Sequence, residues 1–458
     1  MQISPNAPET ISNTRCRSYA RLPNLEHQEY SGRSVSRNVG AYRIESIVGV
    51  ILPPLIIAMP LLRVLTAIGL AVLAIPASAQ RTDFDPRLAL SYIYRNNVNF
   101  VGEEQRADSS LRFTVVLPVV RTTKKGSASL QYAGYIERFD EFSTFDDVGH
   151  RLVVGVDTKP SNRSSFSLKG GYTRTQDQND PGSLDSTDFF LTQRVRRDRL
   201  FLDLSFGSRF SQRWGWRISG GASDWKFTRV VGEDSNETPL GLEDRSEIRT
   251  GFSINRVMSR KSTLGFSLRA RRWDLDLSGE QKSFWASLVY GREVADKTDM
   301  TLAIGGFRTE QVVLGTPEEE QPWRNGVQGT FQLERSFRRT ILNVAAGHSP
   351  DAGGSRIGTS VTSYLQVSLA DSFYRSWSWV VYGRVARRDP NSDLQKVLDS
   401  SSLGGGLQFR LMRFLGLNLG GSYVQQTQQL TSGNLTYYRV TATLAGYPLG
   451  WKKSQGWF

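Results

Sequence analysis

Seven basic side chains, Lys169, Arg209, Arg217, Arg269, Arg271, Arg384 and Arg410, sit in stretches where polar residues alternate with apolar or small ones. Fixed cations presented singly along a water-filled surface attract anions, and rings of them in a pore favour anion passage. Trp285 falls on the same polar side as Ser283 and Ser287. There it could stack on a sugar ring or fill a plug contact. General-base chemistry has little to work with, because the chain has three histidines: His27, His150 near Asp146 and Asp147, and His348 near Asp351. Neither a G-x-S-x-G elbow nor an H-E-x-x-H pair accompanies them, so no enzyme is expected. The single cysteine, Cys16, removes disulfide frameworks and thiolate metal sites. Asp177-Gln178-Asn179-Asp180 has half a calcium loop but lacks the spaced ligands and terminal Glu. No catalytic residue, cofactor or metal is therefore assigned.

The elements that position these side chains are strands with two different solvents on their two faces. Leu403, Leu407, Phe409 and Leu411 oppose Gly404, Gly406, Gln408 and Arg410; beyond a two-residue hinge, Leu415, Leu417, Leu419 and Tyr423 oppose Gly416, Asn418, Gly420 and Ser422. Successive strand side chains point to opposite faces, so a period of two separates an apolar face from a polar one. The pattern recurs at 128–137, 165–173, 213–223 and 263–271. Stretches of about ten residues cross a bilayer when tilted, and strands can do so only in a closed sheet. The expected fold is all-β, a transmembrane antiparallel β-barrel. No helix-length apolar run follows Ala79.

Connections give an independent count. Long polar ones fall near 96–108, 139–148, 176–186, 229–245, 275–281, 312–323, 349–356, 388–399 and 427–434, and short ones near 121–125, 159–163, 211–213, 258–261, 295–299, 336–339, 372–376 and 412–413. Nine long and eight short connections imply eighteen strands, with sixteen the alternative, and both termini in the periplasm. Arg196-Arg197-Asp198-Arg199 resembles a further turn, but accepting it would place two short turns in succession. Residues 187–210 are therefore expected to form one long strand. Several external loops are acidic, including Asp140-Glu141 and Glu318-Glu319-Glu320, a pattern typical of solvated loops.

The first 79 residues read as export and processing sequence. Met59 to Arg63 supplies a basic start, Val64 to Ile75 an apolar run, and Ala77-Ser78-Ala79 a small-residue cleavage site. Residues 59–79 are expected to be a signal peptide, and residues 1–58 a non-native, disordered upstream extension. Joining Ile47 to Ala79 into one anchoring helix is opposed by Pro53, Pro54, Pro60 and Arg63. Residues 80–447 are expected to form the barrel, and 448–458 either a periplasmic tail or a variant assembly signal ending at Phe458.

The chain carries a formal charge of +13, of which residues 1–58 contribute six Arg against four Glu and residues 59–79 only Arg63. About +10 remains on the barrel. A charge facing lipid at mid-depth costs roughly 2–4 kcal/mol, so the seven cations should face the lumen. They then favour anion passage, or they pair with Asp203, Glu137 and loop carboxylates to stiffen the wall. Dispersal of the basic residues through strands excludes nucleic-acid binding surfaces. Trp214, Trp216, Trp377, Trp379, Tyr132 and Tyr423 suit interfacial girdles.

With these strands, Gly-aromatic segments such as Ser167-Leu-Lys-Gly-Gly-Tyr172 and Gly420-Gly-Ser-Tyr423, and no plug domain, residues 85–447 resemble the β-barrel porin 2-like family of outer-membrane proteins. The resemblance implies a location in the outer membrane of a Gram-negative bacterium and a link to exopolysaccharide systems. The expected function is a porin-like channel with a basic, anion-biased lumen, supporting exopolysaccharide export. The alternative is a structural or adhesive barrel with a loop-blocked lumen and acidic external loops. Expected partners are outer-membrane lipid and lipopolysaccharide, the barrel-assembly machinery and periplasmic polysaccharide-export components.

Overall fold

A computed structural model describes residues 81–98, 105–176, 195–229, 244–276, 279–310, 323–351, 360–374, 376–390, 397–427 and 434–448. Sequence expectations for 1–80, 177–180, 187–194, 318–320 and 449–458 lie outside these. The described residues form one antiparallel sheet: β1 (Arg81–Phe84), β2 (Arg87–Arg95), β3 (Asp108–Thr123), β4 (Gly126–Phe139), β5 (Asp147–Thr158), β6 (Ser164–Thr175), β7 (Val195–Arg209), β8 (Trp214–Arg229), β9 (Arg245–Ser259), β10 (Ser262–Leu275), β11 (Gly279–Ala295), β12 (Thr298–Glu310), β13 (Trp323–Ser336), β14 (Thr340–Asp351), β15 (Ser360–Tyr374), β16 (Trp377–Pro390), β17 (Leu398–Met412), β18 (Leu415–Thr427) and β19 (Asn434–Gly446). A single 3-10 turn, Ser143–Phe145, interrupts the connection between β4 and β5.

Each strand from β2 onward pairs with the next, and β19 returns to β2 in a ladder from Gly446 opposite Leu88 to Arg439 opposite Arg95. The sheet is therefore closed, with eighteen staves. Strand β1 adds no stave, because it pairs with β3 at 119–122, directly below the residues that β2 pairs with. The chain breaks between them at Asp85 and Pro86, where Pro lacks a ladder donor. The short connections form one end of the barrel and the long ones the other. Residues Arg196 to Arg199 lie within β7, so the suspected extra turn is strand.

Register carries one face around the barrel. Leu202, Leu204, Ile218, Ile248, Phe252, Leu268, Leu288, Ile304, Val327, Val381 and Leu403 are all exposed on the outer side. An apolar belt of this extent suits hydrocarbon as its solvent. Aromatic pairs line its short-turn end, with Phe210 on Trp214, Phe206 on Trp216, and Phe373 and Phe409 on Trp377. Inside, rings lie over glycines on neighbouring strands: a Cβ at Gly347 would fall on the Tyr364 ring, and one at Gly326 on Phe307. Glycine at these two positions is what lets the rings lie flat against the wall.

Candidate pore lining

Two parts of the inner wall carry arginine in contrasting settings. On β2 to β5, Arg95 and Arg112 sit at inward positions and share one carboxylate. Arg95 Nη1 lies 2.8 Å from Glu137 Oε1 and Arg112 Nη2 2.6 Å from Glu137 Oε2, with all three side chains no more than 3% exposed. Ser110 donates to the same carboxylate, and Arg112 lies over the Tyr135 ring at 4.5 Å. The Tyr135 hydroxyl donates to Asp147, which also accepts the Gln176 backbone N–H at 3.0 Å. Asp108 accepts backbone N–H groups from Ser109, Glu141 and Phe142. This tether draws the 140–146 connection inward, where Phe142 and Phe145 pack with Val98 and Phe139. Burial first, and then the nearby Asp108 carboxylate, raise the pKa of Asp140 above the ordinary carboxylate range.

On β6 to β10 the inward positions hold Lys169, Arg197, Arg199, Arg209, Arg217, Arg245, Arg249, Arg269 and Arg271 against Asp203 and Glu247. Among the described side chains of these strands nine cations face two carboxylates, so the formal charge of this part of the inner wall is positive. Arg249 bridges Asp203 and Glu247, and Arg271 Nε lies 3.1 Å from Glu247. Other cations rest on rings: Arg199 lies 4.4 Å from the Trp225 centroid and 4.9 Å from that of Phe201, and Arg245 lies 4.9 Å from that of Trp225. An aromatic face attracts a cation without neutralising it, so these contacts hold charge in place and preserve the field.

The register places all seven sequence-predicted cations on the inward side. Lys169 stands opposite Asp203, Arg209 opposite Gly215, Arg217 opposite Gly207 and Ser253, and Arg269 opposite Gly251 and Trp285. Arg271 stands opposite Arg249. Arg384 and Arg410 lie across the barrel on β16 and β17; the Arg384 guanidinium donates to Gln366 Oε1 at 3.0 and 2.6 Å. The expected carboxylate partners divide, with Asp203 serving the cationic wall and Glu137 the paired one.

Trp285 is inward and only 8% exposed, in a cluster with Trp273, Leu275, Phe307 and Val361. The Arg271 guanidinium lies over both indoles, at 5.3 Å from Trp273 and 5.5 Å from Trp285. Its ring faces are thus occupied by protein in this state. His150 and His348 face outward, and their Nδ1 atoms bond the Tyr132 phenol at 2.9 Å and the Ser363 hydroxyl at 2.7 Å. No group of three or more His, Cys, Asp or Glu able to hold a metal occurs among the described residues.

The sequence reading missed Arg95, Arg112, Arg197, Arg199, Arg245 and Arg249. Period-two parity would have found Arg112 between Leu111 and Phe113, and Arg249 beside Ile248. Arg199 was hidden within an apparent turn.

Neither a family model nor a curated protein matches the chain. Among solved structures, it is similar to Pseudomonas aeruginosa OccK2 (OpdF) in complex with glucuronate, with a TM-score of 0.46, 12% identity and coverage of 81% of this chain and 100% of that one. It is also similar to the Pseudomonas aeruginosa outer-membrane protein OpdK, with a TM-score of 0.42, 13% identity and coverage of 80% and 98%. Acinetobacter baumannii OccAB1 gives a TM-score of 0.44, 9% identity and coverage of 81% and 98%.

Proposed function

We propose that this chain is a porin-type channel of a Gram-negative outer membrane whose basic lumen favours anions. The observation that carries the proposal is the cationic inner wall of β6 to β10, where among the described side chains nine cations stand with two carboxylates, on a closed barrel wrapped in an apolar belt. Cations held on aromatic faces keep their charge available to a passing solute. An acidic polysaccharide chain is the cargo that joins this wall to the family resemblance. Periplasmic export components would then be its partners, and lipid, lipopolysaccharide and the assembly machinery its surroundings.

The inward connection at Phe142 and Phe145 favours a second reading, a blocked barrel with a structural or adhesive role. Planar-bilayer recording separates the two. The channel reading predicts unitary conductance and a reversal potential of anionic sign across a potassium chloride gradient. Folded protein that conducts nothing supports the blocked barrel, and cation preference refutes the basic-pore proposal.

A further inference from the structure

Among the described residues, the β13–β14 ladder stops short of the upper ends of both strands. Their ladder runs from Ser336 opposite Ile341 only to Gly329 opposite His348. Above it, β13 continues to Trp323 paired on its other side with β12, and β14 continues to Asp351 paired with β15. No strand among the described residues occupies the edges that face each other across this gap. Val327, an exposed outward residue, lies on the unzipped part of β13, so the seam descends into the apolar belt. Unpaired backbone edges are costly against hydrocarbon, so a seam at this depth needs a physical reason.

The upper ends of β14 to β16 lean into the lumen beside it. Val361 has the same parity on β15 as the outward Leu365 and Val367, yet it is 2% exposed and packs in the cluster of Trp273, Trp285 and Phe307 on β10 to β12. Arg324, inward on β13, reaches past two strands to Asp389 on β16 at 2.8 Å. Both contacts require the outer face at the top of β14 to β16 to overlap the inner face of β12 and β13. The inward lean leaves a depression on the outside, a cavity of about 790 Å³. Its deep end is apolar, with Leu302, Phe331 and Leu365; its end toward the long loops carries His348, Ser363 and Arg387, with Asp399 4.0 Å from the Arg387 guanidinium. Thr330, which faces inward at the foot of the seam, also lines it, and its hydroxyl is buried without a partner.

We propose that the β13–β14 seam is a lateral portal, latched by Arg324 and Asp389, through which an acyl-chain amphiphile passes between the outer leaflet and the lumen. The depression is its bilayer-side vestibule. Only hydrocarbon can fill an apolar hollow that opens into the bilayer, and the polar end at His348 and Arg387 suits the headgroup attached to that hydrocarbon. The portal is independent of ion preference in the main pore.

Site-directed bimane labelling in a Cys16→Ser background tests it in vesicles of phosphatidylcholine with brominated acyl chains, which quench on contact. Folding of each variant is checked by heat-modifiable migration. A label at Thr330→Cys, inward on the paired rung just below the seam, should be quenched comparably to one at the outward Leu288→Cys. A label at Ser205→Cys, inward on the zipped wall, should not be quenched. A Gln328→Cys/Ser349→Cys disulfide, which extends the existing register by one pair, should abolish quenching of a bimane carried at Thr330 on an orthogonally labelled unnatural residue. Asp389→Asn should increase it. A Thr330 label as protected as the Ser205 label overturns the proposal, as does quenching that survives the disulfide.

Discussion

Arg112 and Arg249 occupy equivalent inward positions, yet they belong to opposite kinds of wall. Around Arg112, one carboxylate satisfies two guanidiniums and the three side chains are sealed from water. Around Arg249, two carboxylates serve a strip of nine cations, most of them partly exposed or resting on rings. Burial makes the first group dependent on its partner for stability, whereas on the proposed function the excess of cations over carboxylates in the second is the source of the pore's field. An arginine facing a lumen is therefore not by itself a pore-lining charge. The local ratio of carboxylates to guanidiniums, together with access to water, decides which role it takes.

Glu137→Gln should give the largest stability effect. It strands two buried guanidiniums and should destabilise the barrel by about 3–5 kcal/mol. The urea midpoint in lipid vesicles reads this loss, while reversal potential should hardly move. A stable variant with altered selectivity would erase the distinction between the walls.

Asp108→Ala acts on the same side but more locally. Removing the acceptor of the Glu141 and Phe142 N–H groups should cost about 1–3 kcal/mol. Faster amide exchange at these two residues, with the β3–β4 ladder still protected, would sharpen the picture of a tethered loop.

Asp203→Asn probes the cationic wall. Its side chain is 37% exposed, so solvent screening limits the stability loss to under about 1 kcal/mol. Reversal potential should move further toward the anion limit. A loss as large as that for Glu137→Gln would show that this wall, too, is structural.

The smallest effect is expected at Asp140. Its folded pKa is raised by burial and by Asp108, so its favourable contribution is complete below the unfolded pKa and is lost as pH rises through the folded value. Asp140→Asn should be slightly more stable than the parent at neutral pH, and the two should converge in acid. Urea midpoints across that range check the sign.

Strand parity made much of the barrel legible, because Leu403, Leu407 and Leu411 must share a face opposite Gln408 and Arg410 in any pleated strand. Loop parity resolved the stave number by rejecting a turn at Arg196-Arg199. Charge partition was not legible, since it depends on which strands become neighbours: Arg112 meets Glu137 only through the β3–β4 register, and Arg249 meets Asp203 across an intervening strand. The enclosure of Trp285 depends on Val361 arriving from β15, a contact that no local pattern encodes. One sign of the unzipped seam was present in Pro350, a residue that strands tolerate at edges.

On the proposed function, the half-buried inward arginines set the pore's field without holding the barrel together. Reversal potential of the combined Arg217→Ser, Arg269→Ser and Arg410→Ser variant, recorded in planar bilayers across a potassium chloride gradient, tests this most directly. A shift toward cation preference is expected, with heat-modifiable migration and urea midpoint close to the parent. A folded, conducting variant with unchanged reversal potential would contradict it.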